Sequence, residues 1–209
     1  MARWKSLWEQ AAQGCRNRGG HVVTLTVAPP ASESAVQEIE ARLGQRIPAS
    51  LREFFLHHSA EVAVYWQLDD EPDVPGLGGI ACGEAKWSLA ALPEVVASHQ
   101  KWIDVAWNDP TDEYDRVWHG KFAFQAVPNG DMFAIDLASQ AVVYLSCEDG
   151  EGHGFLLGAD FIDFVDRWSA LGLVGPEDWQ WIPFTPTPDS FLLPDSEAGL
   201  SWRSWLGLP

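Results

Sequence analysis

KFAFQAVPNGDMFAIDLASQAVVYLS, residues 121–146, is the stretch that decides the fold class. Three runs rich in β-branched and aromatic residues, KFAFQAV, MFAIDL and AVVYLS, are separated by Pro128-Asn129-Gly130-Asp131 and by the short turn ASQ. Asn-Gly tolerates the positive φ angles of a tight hairpin turn, so the spacing predicts a three-strand antiparallel meander.

Upstream, Trp107–Trp118 (WNDPTDEYDRVW) is polar, acidic and broken by Pro110, which reads as an exposed loop. Before it, Ser88 is placed to cap a helix carrying Leu89, Leu92, Val95 and Val96, and Ile80–Ala85 reads as a short strand. Asp69–Gly79 (DDEPDVPGLGG) is a second loop. Val62, Val64, Trp66 and Leu68 alternate as in a half-buried strand. Two helices precede that strand: Val36, Ile39 and Leu43 share one face behind a Ser32 or Ser34 cap with Gly44 closing, and Leu51, Phe54, Phe55 and His58 follow Pro48. Trp4, Leu7, Trp8, Ala11 and Cys15 predict an N-terminal helix stopped by Gly19-Gly20, and His21–Val27 a strand or extended connector.

Downstream, Asp149–Gly154 is a Gly-rich acidic loop. Asp160 is placed to cap a helix bearing Phe161, Phe164, Val165, Trp168 and Leu171 that ends at Gly172. Five prolines then introduce an extended tail ending SWRSWLGLP. This element order repeats no βαβ unit, so the expected class is α+β, a twisted, mainly antiparallel sheet with helices packed against it.

The chain of 209 residues has 13 Lys+Arg against 30 Asp+Glu, a formal charge of −17. The excess is uneven: residues 1–60 carry 7 basic and 5 acidic side chains, residues 61–150 carry 4 and 16, and residues 151–209 carry 2 and 9. Such a surface repels nucleic acid and anionic lipid and attracts cationic partners. No apolar run reaches membrane-spanning length and the N-terminus lacks an unbroken signal-type apolar core, which predicts a cytoplasmic protein. Cys15, Cys82 and Cys147 are widely spaced and odd in number, matching neither a disulfide framework nor a zinc site.

Catalytic and cofactor signals are absent from the pattern. Adjacent His57-His58 diverge on a helix, and Glu148, Asp149, Glu151 and His153 lack calcium-loop spacing, as do Asp109, Asp112, Glu113 and Asp115. No phosphate-cradling or nucleophile-elbow string occurs, so no cofactor and no metal are expected. The acids concentrate instead in three loops, giving a candidate partner-binding set: Asp69, Asp70, Glu71 and Asp73; Asp109, Asp112, Glu113 and Asp115 with the aromatic anchors Trp107 and Tyr114; and Glu148, Asp149 and Glu151. Twelve tryptophans are present. Those at 102, 107, 118, 179, 181, 202 and 205 lie in polar, proline-rich or terminal stretches, where they either pack loops and tail onto the domain or anchor a partner.

Residues 35–60, AVQEIEARLGQRIPASLREFFLHHSA, resemble the opening of the SUKH superfamily (Smi/Knr-type domain) in Ile39 and Glu40, Leu43-Gly44, Ile47-Pro48, and the Leu51, Phe54, Phe55 helix. Gly130-Asp131, a strand ending in Asp136, Val143-Tyr144 and the Phe161, Phe164 helix are similar to the later part of that family. One departure is Ser59-Ala60, where the family often has Asn-Gly. The resemblance spans about 32–172 and implies a domain there, with a helical extension at 1–31 and a Pro/Trp-rich tail at 173–209 packed on it. It further implies a non-enzymatic immunity protein that neutralises a cognate bacterial toxin, a nuclease in many members, by occluding its functional surface. An intracellular scaffold or regulatory interaction module, and a hydrolase using loop acids, are the alternatives.

Overall fold

The structure, a computed structural model, describes residues 1–209. The apolar N-terminal spacing forms Ala2–Asn17 (α1), and His21–Val27 (β1) is a strand with a register shift around Val23. Glu33–Leu43 (α2) starts where the Ala35 N–H donates to Ser32 Oγ (3.2 Å) and ends at Gly44, whose φ of 66° only glycine adopts readily. Ala49–His57 (α3), Glu61–Gln67 (β2) and Cys82–Ser88 (β3) follow, and β1-β2-β3 form an antiparallel sheet in that order.

Ser88 does not cap the next helix. It closes β3 with its side chain free of any capping bond, the Leu89 N–H donates to the Ala60 carbonyl (3.0 Å), and the chain enters Leu92–Val105 (α4) through one 3-10 turn. The Trp107–Trp118 loop ends in a single helical turn, Asp115–Trp118 (α5). Lys121–Ala126 (β4), Met132–Asp136 (β5) and Val142–Leu145 (β6) form the expected meander, to which Leu156–Gly158 (β7) adds a fourth antiparallel strand. Phe161–Ala170 (α6) is capped by Asp160, whose Oδ1 accepts the Asp163 N–H at 2.9 Å.

The fold is α+β with two antiparallel sheets rather than one continuous sheet. β4 carries a bulge between Ala123 and Gln125. Gln125, 1% exposed, accepts the Lys86 N–H on its Oε1 (3.1 Å), so a side-chain amide stands where a backbone ladder would join β3 to β4.

The tail also departs from the extended expectation. It contains Asp178–Trp181 (α7) and Glu197–Leu206 (α8), because Trp181, Trp202, Leu206 and Leu208 gain burial in the main core. Between these helices the tail covers the edge of β7, with Leu156 N–H donating to the Pro188 carbonyl (2.8 Å) and Leu192 N–H to the Leu157 carbonyl (3.3 Å). Residues from 1–31, 32–172 and 173–209 therefore share one apolar core.

Trp87 of β3 sits within that core, its ring centroid 5.5 Å from Phe54, 5.3 Å from Phe161 and 6.2 Å from Trp168. These contacts hold α3 and α6 on β3, and Ser50 Oγ adds a bond from the Phe161 N–H (3.1 Å). Ser59, fully buried, fixes the turn after α3: its hydroxyl lies 2.7 Å from the Ala28 carbonyl and 2.6 Å from that of Glu61. The main core covers one face of the meander, and a smaller cluster beneath α4, with Val95, Trp102 and Ile103 near Ala123, Met132, Ala134, Val143 and Leu145, covers the other, so the second and third acidic loops leave from the ends of its strands.

Candidate functional site

The second and third acidic loops meet. Tyr114 stacks on His153 with centroids 3.7 Å apart, and its hydroxyl donates to the Ser146 carbonyl (2.7 Å). His153 bonds both loops: the Ser146 N–H donates to Nδ1 (3.0 Å), so Nε2 carries the proton and donates to the Tyr114 carbonyl (3.1 Å). A cleft of about 560 Å³ opens between them, lined by Asp112, Glu113, Tyr114, Arg116, Val117, Gly150 and His153.

The first loop stands apart. Asp69 pairs with His21 (3.1 Å) and Asp73 accepts the Trp205 indole N–H (2.6 Å), so its bonds run to β1 and α8. α7 lies between this loop and the third: Gln180 Oε1 accepts the N–H groups of Ala81 (2.9 Å) and Cys82 (3.1 Å), while Asp178 accepts the Gly152 N–H (2.9 Å).

The carboxylates divide by what they already hold. Asp109 accepts from Thr111, which keeps its carboxyl below the usual range; Asp112 accepts the Tyr114 and Asp115 N–H groups, and Asp115 accepts the Asp109 N–H. These three shape the loop. Asp70, Glu71, Glu113, Glu148, Asp149 and Glu151 are exposed and have no side-chain bond within the protein. Trp107 and Tyr114 are half-buried and face inward, Trp107 stacking on the buried Trp118 (6.0 Å, 15°).

Under the third loop lies a buried anchor. Asp131, 3% exposed, accepts the Tyr144 hydroxyl, an Asn129 amide proton and the Cys147 N–H, each at 2.7 Å. Burial, then the neighbouring Asp131, pushes the Tyr144 hydroxyl up and the Cys147 thiol up to about 12, so both stay protonated. No group of three or more His, Cys, Asp or Glu side chains is arranged to hold a metal ion.

The SMI1 / KNR4 family (SUKH-1) model matches residues 30–167. The chain belongs to this family. Comparison with curated proteins and with solved structures finds no match. Within the SUKH-1 chain the family motifs have structural work: Gly44 closes α2, Phe54 and Phe55 are fully buried, and Gly130-Asp131 makes the hairpin turn and ties it to β6. The SUKH-1 family includes toxin immunity proteins, and no helix of this member is long and apolar enough to cross a membrane. His153, which the sequence reading set aside for want of calcium-loop spacing, is the joint between two acidic loops; its stacking partner lies 39 residues away, so no local spacing marks it.

Burial holds His153 and His99 below the ordinary histidine range, against the Tyr114 and Trp118 carbonyls that favour the charged form. A depressed histidine pKa means the unfolded chain binds more protons below about pH 6.5, so stability is full above that value and falls as pH drops toward the folded pKa. Denaturant midpoints are expected to be lower at pH 5.5 than at 7.5, with a shallower slope for His153→Gln. Comparing the two proteins separates His153 from Glu84, whose carboxyl burial pushes up and whose effect has the opposite sign. Equal slopes would exclude His153 as a titrating joint.

Proposed function

We propose that the protein is an immunity protein that binds a cognate bacterial toxin, a nuclease among the fitting classes, and occludes its functional surface without catalytic turnover, metal or cofactor. The reading places it in the cytoplasm. Residues 32–172 form the family unit, and 1–31 and 173–209 are extensions packed on it. The observation that carries the reading is the junction of the second and third loops, which presents Glu113, Glu148, Asp149 and Glu151 free of internal partners on a chain of charge −17. An enzyme that grips nucleic acid is itself basic. A rigid acidic surface steers such a partner and complements it, raising association from about 10⁵–10⁶ M⁻¹s⁻¹ toward 10⁸–10⁹ M⁻¹s⁻¹ at low salt.

Glu113→Lys with Glu151→Lys is the clean reversal, because neither carboxylate shapes the loop, whereas Asp112 caps it. Stopped-flow binding to a catalytically inactivated cognate toxin, sought among the products of the adjacent genes, is expected to show association slowed about 10- to 100-fold at low salt, with a flatter salt dependence. An association rate indifferent to both salt and reversal would leave the charge as a solubility feature.

A further inference from the structure

Trp179 is the one exposed residue among the tryptophans, phenylalanines and tyrosines of the protein. It is 55% exposed, whereas the other eleven tryptophans and all phenylalanines and tyrosines are buried or half-buried. The other exposed large apolar residues, Val23, Val105, Leu137 and Leu200, are single aliphatics of the kind any surface carries.

The turn that displays Trp179 is held from both sides. Asp178, Gln180 and Trp181 of α7 are all buried. Asp178 grips the third acidic loop through Gly152, Gln180 grips β3 and its approach through Ala81 and Cys82, and Trp181 packs on Tyr144 with centroids 5.0 Å apart. Three of four residues are thus fixed inward, and the fourth holds an indole in water beside Gly79, at the end of the first acidic loop. The backbone that carries this side chain is therefore ordered before any partner arrives, which lowers the cost of using it as an interface anchor.

We propose that Trp179 is the apolar anchor of the partner surface, and that it inserts into an apolar cleft on a basic protein while the first and third loops engage the surrounding cations. The occupant follows from charge. Glu71 lies against Gly78, next to the Gly79 that the indole touches, and Glu151 precedes the Gly152 that Asp178 holds; both carboxylates are exposed without an internal partner, so the neighbourhood of this indole selects a cationic surface. A second copy of the chain, also at −17, is disfavoured by repulsion. The inference rests on the proposed immunity reading and deepens it, since the half-buried Trp107 and Tyr114 are committed to their own stack.

The test uses the full chain and, as probe, a catalytically inactivated cognate toxin sought among the products of the adjacent genes. Trp179→Ala is expected to weaken binding at least ~30-fold, mostly through faster dissociation, and Trp179→Phe to retain most of the affinity. Because the side chain is exposed, the denaturation midpoint of Trp179→Ala is expected to match the unmutated protein, which separates an anchor from a folding role. Tight binding unchanged in Trp179→Ala would overturn the anchor and leave the immunity reading standing. Failure of the unmutated chain to bind the probe would overturn both. Concentration-dependent dimerisation abolished by Trp179→Ala would assign the surface to a second copy and overturn the proposal.

Discussion

Truncation after Gly172 is expected to abolish cooperative folding. The removed segment supplies Leu173, Val174, Trp181, Phe184, Leu192, Trp202, Leu206 and Leu208 to the main core. At about 1.5–3 kcal/mol for each buried apolar side chain, the loss exceeds ~10 kcal/mol, comparable with the whole stability of a typical domain. The cut also strips the cover from β7 and leaves the Leu156 N–H and the Leu157 carbonyl, which the tail occupies at present, without partners. Trp202→Ala is the point version. Its indole is fully buried, stacks near Trp66 at 6.4 Å and donates to the Leu171 carbonyl at 2.8 Å, so a loss of about 3–5 kcal/mol is expected. Urea titration followed by circular dichroism measures both. A truncated chain with a sharp, cooperative transition would show that residues 1–172 close a core of their own.

Asp131→Ala is expected to cost about 3 kcal/mol or more, because it removes one charged acceptor from three donors at once. The Tyr144 hydroxyl and the Cys147 N–H are left in an interior where bonds to a charged partner contribute about 1.5–3 kcal/mol each. A double-mutant cycle with Tyr144→Phe isolates the pair: removing the donor as well as the acceptor should recover part of the loss, giving a coupling of about 0.5–3 kcal/mol. Strict additivity would mean that Asp131 acts through Asn129 and Cys147 alone. Since Cys147 leads directly into the third acidic loop, faster amide exchange at residues 147–153 is expected to accompany the destabilisation.

Elements whose signal lies within a dozen residues were legible in the sequence. The meander follows from its own runs and its Asn-Gly turn, and α2 and α6 from a capping side chain and an apolar stripe that ends at glycine. The division into two sheets was not legible, since it depends on one bulge and on where Gln125 reaches across to Lys86, 39 residues away. The acidic loops were visible as composition, but which acids shape a turn and which stand free is decided by backbone direction. Trp179 and Trp181 make the point most sharply. They flank one glutamine in Asp-Trp-Gln-Trp, yet one is 55% exposed and the other 1%, because a short turn sends alternate side chains to opposite sides and only the tertiary setting says which side is water.

The meeting of the two chain ends bears on the order of assembly. Gly14 of α1 lies so close to the Leu206 backbone that a side chain at 14 has no room, and Arg18 donates to the Trp205 carbonyl at 3.1 Å and packs over its ring. Contacts between residues almost two hundred positions apart raise the mean sequence separation of the contacts this fold makes, which acts to slow its folding. Trp4 and Trp8 take their partners from Phe54, Trp87, Asp166 and Ser169, so α1 is held twice, along its tryptophan face by the central core and at its C-terminal end by α8.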